Sequence, residues 1–161
     1  MDLAKHKLAV KKTQASTKKF FDRLKRKTPD DLDERFHEAH ETVFERMDCL
    51  TCANCCKTTG PLFTQRDIER LAHHLRMRPA AFTDKFLHVD EDGDWVLNTL
   101  PCPFLGPDNY CSVYEYRPGA CREYPHTHQR KMHTILKETY NNVGVCPAVY
   151  EIVERLKEHY E

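Results

Sequence analysis

The sequence predicts an α+β fold: a mainly helical, loop-rich single domain with one short β-hairpin, drawn together around its cysteines. Three observations predict it. Apolar residues recur at helical spacing along five separate stretches of the 161-residue chain. One Asp-Gly turn stands between two short β-prone runs. Eight cysteines are present, four of them within Cys49–Cys56, and three more fall where the chain is richest in proline and glycine. A chain of this length buries about two-thirds of its unfolded surface, enough for a core that needs no disulfides.

Residues 2–27 read as a helix, and residues 1–28 as a basic helical arm. Val10, Thr17, Phe20, Phe21 and Leu24 fall near one face, and the segment carries ten basic residues against two acidic ones. The expected role of the stripe is to dock the arm on the domain while the lysines stay in water. No aromatic platform interleaves with the charges, so nucleic acid is not the expected partner. A protein partner is the other use such an arm could have. Over the whole chain 25 basic and 25 acidic residues cancel, so no global field steers it toward a polyanion.

Residues 29–161 form the expected cysteine-cluster domain. Its first helix is predicted to start at Thr28-Pro29-Asp30-Asp31, with Thr28 as cap and Pro29 in the first turn. Leu32, Phe36, Ala39, Val43, Phe44 and Met47 make its apolar stripe, and His37 and His40 beside it read as surface or half-buried positions. Thr64 caps a second helix lined by Ile68, Leu71, Ala72 and Leu75. Its adjacent His73 and His74 point about 100° apart and do not share a ligand. Pro79 opens a short helix with Phe82 and Phe86 inward. The hairpin pairs His88-Val89 with Trp95-Val96-Leu97 across Asp90–Asp94. That acidic tip lacks the glycine at position six and the glutamate at position twelve of a calcium loop. Residues 100–125 are irregular, and a loop this long inside a compact domain needs another source of order. Cys146-Pro147 opens the last helix, with Val149, Ile152, Val153, Leu156 and Tyr160 on one face. There the helix dipole favours a thiolate.

The basic N-terminus is not followed by an apolar run of the length a secretion signal needs. No stretch approaches the ~20 apolar residues of a membrane span, so no membrane is expected. The expected location is cytoplasmic, where thiols stay reduced. Adjacent Cys55 and Cys56 also argue against a disulfide framework. A relay of catalytic thiols fits poorly too, because clustered thiols cross-react and no positioned base accompanies them.

Metal remains. Cys49, Cys52, Cys55 and Cys56 have the spacing C-x2-C-x2-C-C, while Cys102, Cys111, Cys121 and Cys146 follow singly. Thiolates bind zinc, iron–sulfur clusters or monovalent copper. Zinc sites usually want two short cysteine pairs, and no second C-x2-C exists here. The iron–sulfur template is a C-x2-C-x2-C run with a remote Cys-Pro, supplied by Cys102-Pro103 or Cys146-Pro147. Iron, as an iron–sulfur cluster, therefore stands slightly ahead of zinc. Two zinc ions on eight thiolates would leave a net charge of about −4, which calls for cations around the site. Lys57, Arg117 and Arg122 could supply them. Tyr110, Tyr114 and Tyr124 are expected to wall the site from water, and His126, His128 or His133 could complete a mixed shell.

These motifs resemble a known family. Cys49-x2-Cys52-x2-Cys55-Cys56, Cys102-Pro103-Phe104-Leu105, Cys111-Ser112-Val113-Tyr114-x2-Arg117-Pro118-x2-Cys121-Arg122-x2-Pro125 and Cys146-Pro147 are similar, in order, to the YkgJ-type cysteine-cluster family. The resemblance covers about residues 47–150 and implies chelation of zinc or iron. It implies that Cys49, Cys52, Cys55, Cys56, Cys102, Cys111, Cys121 and Cys146 are the metal ligands. The domain is then organised around a cysteine-ligated metal centre. The expected function is metal binding; the alternatives are an iron–sulfur redox or radical enzyme, or a subunit of one, and a zinc-stabilised interaction module. No nucleotide or S-adenosylmethionine site is recognisable.

Overall fold

The computed structural model describes residues 2–161. Eight helices and one two-stranded sheet are formed among them. In chain order they are α1 (Leu3–Arg26), α2 (Leu32–Phe44), α3 (Asn54–Thr58), α4 (Gln65–His74), α5 (Pro79–Phe86), β1 (Leu87–Val89), β2 (Trp95–Leu97), α6 (Gly119–Glu123), α7 (Leu136–Val143) and α8 (Pro147–Tyr160). The fold class is the α+β, mainly helical one expected. The chain divides into two compact units, residues 2–48 with 125–161, and residues 49–124.

The first unit is built from α1, α2, α7 and α8. Phe20, Phe21 and Leu24 of α1 meet Leu32, Phe36, Ala39 and Val43 of α2 and Val149, Ile152, Val153 and Leu156 of α8 in one core. These are the stripes that helical spacing predicts, because residues three and four apart share a face. At its start, the Asp2 carboxylate accepts from the Ala4 amide, and Arg23, Lys25 and Arg26 complement the dipole at its end. His6 is buried and its Nε2–H donates to the Val143 carbonyl at 2.9 Å. Lys157 is buried too, its ammonium satisfied by Ser16 Oγ at 3.0 Å and Glu154 Oε1 at 2.7 Å.

Two details differ from the sequence reading. The start of α2 falls at Leu32, with Asp31 as the flanking residue. Thr28 does not cap it; its hydroxyl donates back to the Leu24 carbonyl of α1 at 3.1 Å. Pro29-Asp30-Asp31 instead form a turn, closed by the Leu32 amide on the Pro29 carbonyl. The second difference is α7, which the sequence reading leaves unassigned. Its buried Leu136, Thr139 and Val143 do share one face, but Thr139 interrupts the apolar signal.

The second unit has its own core: Phe63, Ile68, Leu71, Ala72, Phe82, Leu87, Leu97, Phe104 and Val113. Thr64 and Asp67 form a reciprocal capping box at the start of α4. The hairpin pairs Leu87 with Leu97, His88 with Val96 and Val89 with Trp95. Its tip is ordered from within: Asp90 Oδ1 accepts from the Asp92 and Asp94 amides, both at 3.0 Å, and Gly93 takes a φ of +84°. Among the described residues no helix is long and apolar enough to cross a membrane.

Candidate metal centre

Seven of the eight cysteines belong to the second unit, and its local structure presents them. A 3₁₀ turn runs over Cys49–Thr51, and the Cys49 carbonyl accepts from both the Cys52 amide (3.1 Å) and the Ala53 amide (2.8 Å). Ala53 then takes a left-handed conformation, φ 47°, which an L-residue adopts only at some cost. That reversal turns the chain into α3, whose first turn carries Cys55 and Cys56. Their sulfurs stand 4.0 Å apart. Tetrahedral ligation with bonds of about 2.3 Å sets sulfur pairs about 3.8 Å apart, so this spacing suits two ligands of one metal.

The long loop reaches α3 through the backbone. The Cys102 amide donates to the Cys56 carbonyl at 2.8 Å. Beyond it, Leu105 bridges to Cys111 across a tight reversal in which the Gly106 amide donates to the Tyr110 carbonyl. A Cβ on Gly106 would lie 2.7 Å from Asp108 Oδ1 and 3.3 Å from the Tyr110 carbonyl, so a larger residue would have to displace the Asp108 side chain. The reversal aims backbone N–H groups at sulfur. Cys102 receives the Phe104 and Leu105 amides, and Cys111 receives the Val113 amide.

Cys121 comes on α6, whose start is pinned by α4. Asp67 Oδ1 accepts from the Gly119 amide at 3.2 Å and from Arg70 at 2.7 Å, and Arg70 in turn donates to the Arg117 carbonyl at 3.0 Å. Burial pushes the Asp67 carboxyl up, but its bonds from Thr64, Arg70 and Gly119 outweigh this and hold it below the ordinary carboxylate range. Sequence reasoning sees the Thr64-x-x-Asp67 cap. The second use of the same carboxylate, 52 residues along the chain, has no local signal.

The electrostatics tie four sulfurs together. Cys102, Cys111 and Cys121 each feel the charge of Cys56, and Cys121 also feels Cys102 and Cys111. A hydrogen bond from the Cys55 thiol, then Lys57 and Arg117, bring Cys56 down to about 7 against the effect of burial. Burial pushes Cys102 up to about 11 and Cys121 up to about 12, and it raises Cys111 as well. Of the four, Cys56 thus gives up its proton most readily, while burial favours the protons on Cys102, Cys111 and Cys121. A cation arriving there would displace those protons and relieve the repulsion among the thiolates.

One cation is already aimed at them. The Arg117 guanidinium lies 3.6 Å over the Tyr114 ring and acts on Cys56, Cys111 and Cys121. Its Nε and Nη1 are buried with no hydrogen-bond partner. Such orphaned donors are costly unless a negative charge compensates them. Lys57 donates to the Cys52 carbonyl at 3.3 Å, while Arg122 is exposed. Tyr110 and Tyr114 do not wall the site: both are exposed, and Tyr114 uses its face on Arg117.

The donor set therefore fits a thiolate-bound metal: soft sulfurs, amide donors to them and a half-buried cation nearby. Among the described residues, no three His, Cys, Asp or Glu side chains already surround one point as a finished shell. The sulfurs share a neighbourhood rather than a completed coordination sphere. Cys146 lies in the first unit, half-buried at the start of α8, its amide on the Asn142 carbonyl and its carbonyl accepting from Tyr150. His126, His128 and His133 belong to that unit as well.

Residues 48–147 match the family CxxCxxCC, described as a "Putative zinc- or iron-chelating domain". The match covers well over half of the chain. The chain belongs to the CxxCxxCC family. All eight cysteines lie within the matched residues. So do Asp67, Arg70 and Arg117, while α1 and α2 precede the match. No curated protein and no solved structure matches the chain.

Proposed function

We propose that this CxxCxxCC protein holds a cysteine-ligated metal centre, with Cys56, Cys102, Cys111 and Cys121 as its inner sulfurs. The observation that carries the reading is half-buried Arg117, its buried Nε and Nη1 without partners, acting on three of these four thiols, Cys56, Cys111 and Cys121. Cys49, Cys52, Cys55 and Cys146 complete the eight-cysteine set. Iron, as an iron–sulfur cluster, is the first reading for the metal, on the C-x2-C-x2-C run of Cys49, Cys52 and Cys55. Such a cluster supplies one-electron redox capacity. The chain's own part is to bind it, direct amides and Arg117 at its sulfurs and so set its potential. Zinc is the second reading, supported by the 4.0 Å spacing of the Cys55 and Cys56 sulfurs.

Single Cys→Ser substitutions test the ligand set. Changes at Cys56, Cys102, Cys111 and Cys121 are expected to abolish stoichiometric metal, read by elemental analysis of reduced, gel-filtered protein. A loss of metal is expected at Cys49, Cys52, Cys55 and Cys146 as well. A variant at any inner position that keeps full metal removes that residue from the set.

A further inference from the structure

Outside the metal centre, the first unit gathers three imidazoles. The His128 ring lies 4.5 Å from that of His37 and 5.1 Å from that of His40, centroid to centroid. They sit where one face of α2 grips the segment 125–132. Asp33, His37 and His40 follow at steps of four and three, so they stack along that face. The Asp33 carboxylate accepts from the Lys131 amide (2.6 Å) and the Met132 amide (2.8 Å). His37 Nε2–H donates to the Gln129 carbonyl at 2.8 Å, and His40 Nδ1 pairs with the Thr127 hydroxyl at 2.8 Å. Thr127 is fully buried, and His126 and Lys131 take left-handed conformations, φ 66° and 60°. The gripped segment thus carries strained backbone that depends on these bonds.

The rings are tilted against one another, by 33° and 46°. Among the described residues no such trio is disposed around a metal. The ligand this cluster is built to take is the proton. We propose that His37, His40 and His128 form a proton-operated latch: neutral, they hold residues 125–132 on α2, and a second proton within the cluster releases that segment.

The charges around the cluster set the order of events. Glu41 Oε1 stands 3.9 Å from His128 Nε2, and His128 is more than half exposed, so Glu41 is the carboxylate that faces the cluster. Burial, then the charges of His128 and His37, hold His40 below the ordinary histidine range, with Glu41 opposing weakly. Asp33 is committed to the two amides. The remaining titratable or charged groups on the segment and the turn after it are His126, Arg130, Lys131 and His133, and His126 Nδ1 accepts from Gln129 Nε2 at 2.8 Å. None of them supplies a second carboxylate to neutralise a second imidazolium. Once the segment is free, His40 returns to the ordinary histidine range, near ~6.5. The latched form therefore binds fewer protons, its stability is complete above that pH, and it is lost as pH falls through the depressed value of His40.

Amide hydrogen exchange on the metal-loaded full chain tests this. Between pH 7.5 and 5.5, after correction for intrinsic rates, protection of the Lys131 and Met132 amides should fall at least about tenfold. Protection of Val153 in α8 should stay constant, which separates release from global unfolding. His128→Gln, at an exposed position, removes the charge that opposes protonation of His40 and should shrink the fall to less than about threefold. Protection that does not change with pH in the unmodified chain overturns the latch. So does a tenfold fall that persists in His128→Gln.

Discussion

Stripping the proposed metal is expected to unfold residues 49–124 while α1, α2, α7 and α8 keep their helices. The two units differ in what holds them. Sixteen buried apolar residues form the first core, nine the second. In the second unit, α3 and α6 are five residues each and the chain between β2 and α6 has no other helix longer than a 3₁₀ turn. Helices that short have little stability of their own. Thiolate-bound metal supplies about 10 kcal/mol or more of apparent folding energy in small sites. That is comparable to the whole stability of a typical domain. The first unit would then carry an unfolded insert between its two segments, whose closure costs only about 4 kcal/mol. Limited proteolysis with mass spectrometry, before and after a strong chelator, reads this out. New cleavage confined to residues 49–124 is the expected pattern. Equal resistance in both samples means that metal is no part of what folds this unit.

Arg117→Met should move the metal-free and metal-loaded proteins in opposite directions. Without metal, the guanidinium is a partly buried cation with two unpaired donors, and its removal should stabilise by about 1–3 kcal/mol. Methionine keeps the apolar stem against Tyr114. With metal, the same change removes the cation that faces Cys56, Cys111 and Cys121. Outer-shell partners of this kind are worth about 10–100-fold in metal affinity. Denaturant titration of the metal-free protein and chelator competition on the loaded one measure the two effects. Unchanged affinity, together with a less stable metal-free protein, would make Arg117 a packing residue and nothing more.

The helical unit was legible in the sequence because its information is periodic. Phe20, Phe21 and Leu24, or Val149, Ile152, Val153 and Leu156, announce their faces by spacing alone, and each is buried as that spacing requires. Ends were less legible. Thr28 has the chemistry of a cap, yet a bond to Leu24 was equally open to it, and geometry chose that one. The cysteine loop was legible as composition and as family resemblance. Its internal order was not, because it depends on partners far along the chain, such as Asp67 on Gly119 or Cys102 on Cys56. Tyr114 shows the limit of residue-type reasoning: an aromatic beside cysteines suggested a wall, and the ring instead supports the cation. His37 and His40 are half-buried, one of the two placements the sequence allows, but their partners Gln129, Thr127 and His128 lie about ninety residues away and no local spacing shows them.

The most direct measurement is elemental analysis, with acid-labile sulfide and a visible spectrum, on one anaerobically purified sample of the full chain. The expected result is stoichiometric iron with sulfide and broad visible absorption, the signature of an iron–sulfur centre. Colourless protein with stoichiometric zinc would keep the thiolate centre and replace its metal. Folded, monodisperse protein without stoichiometric metal, and with all eight thiols free to react, would contradict the metal centre itself.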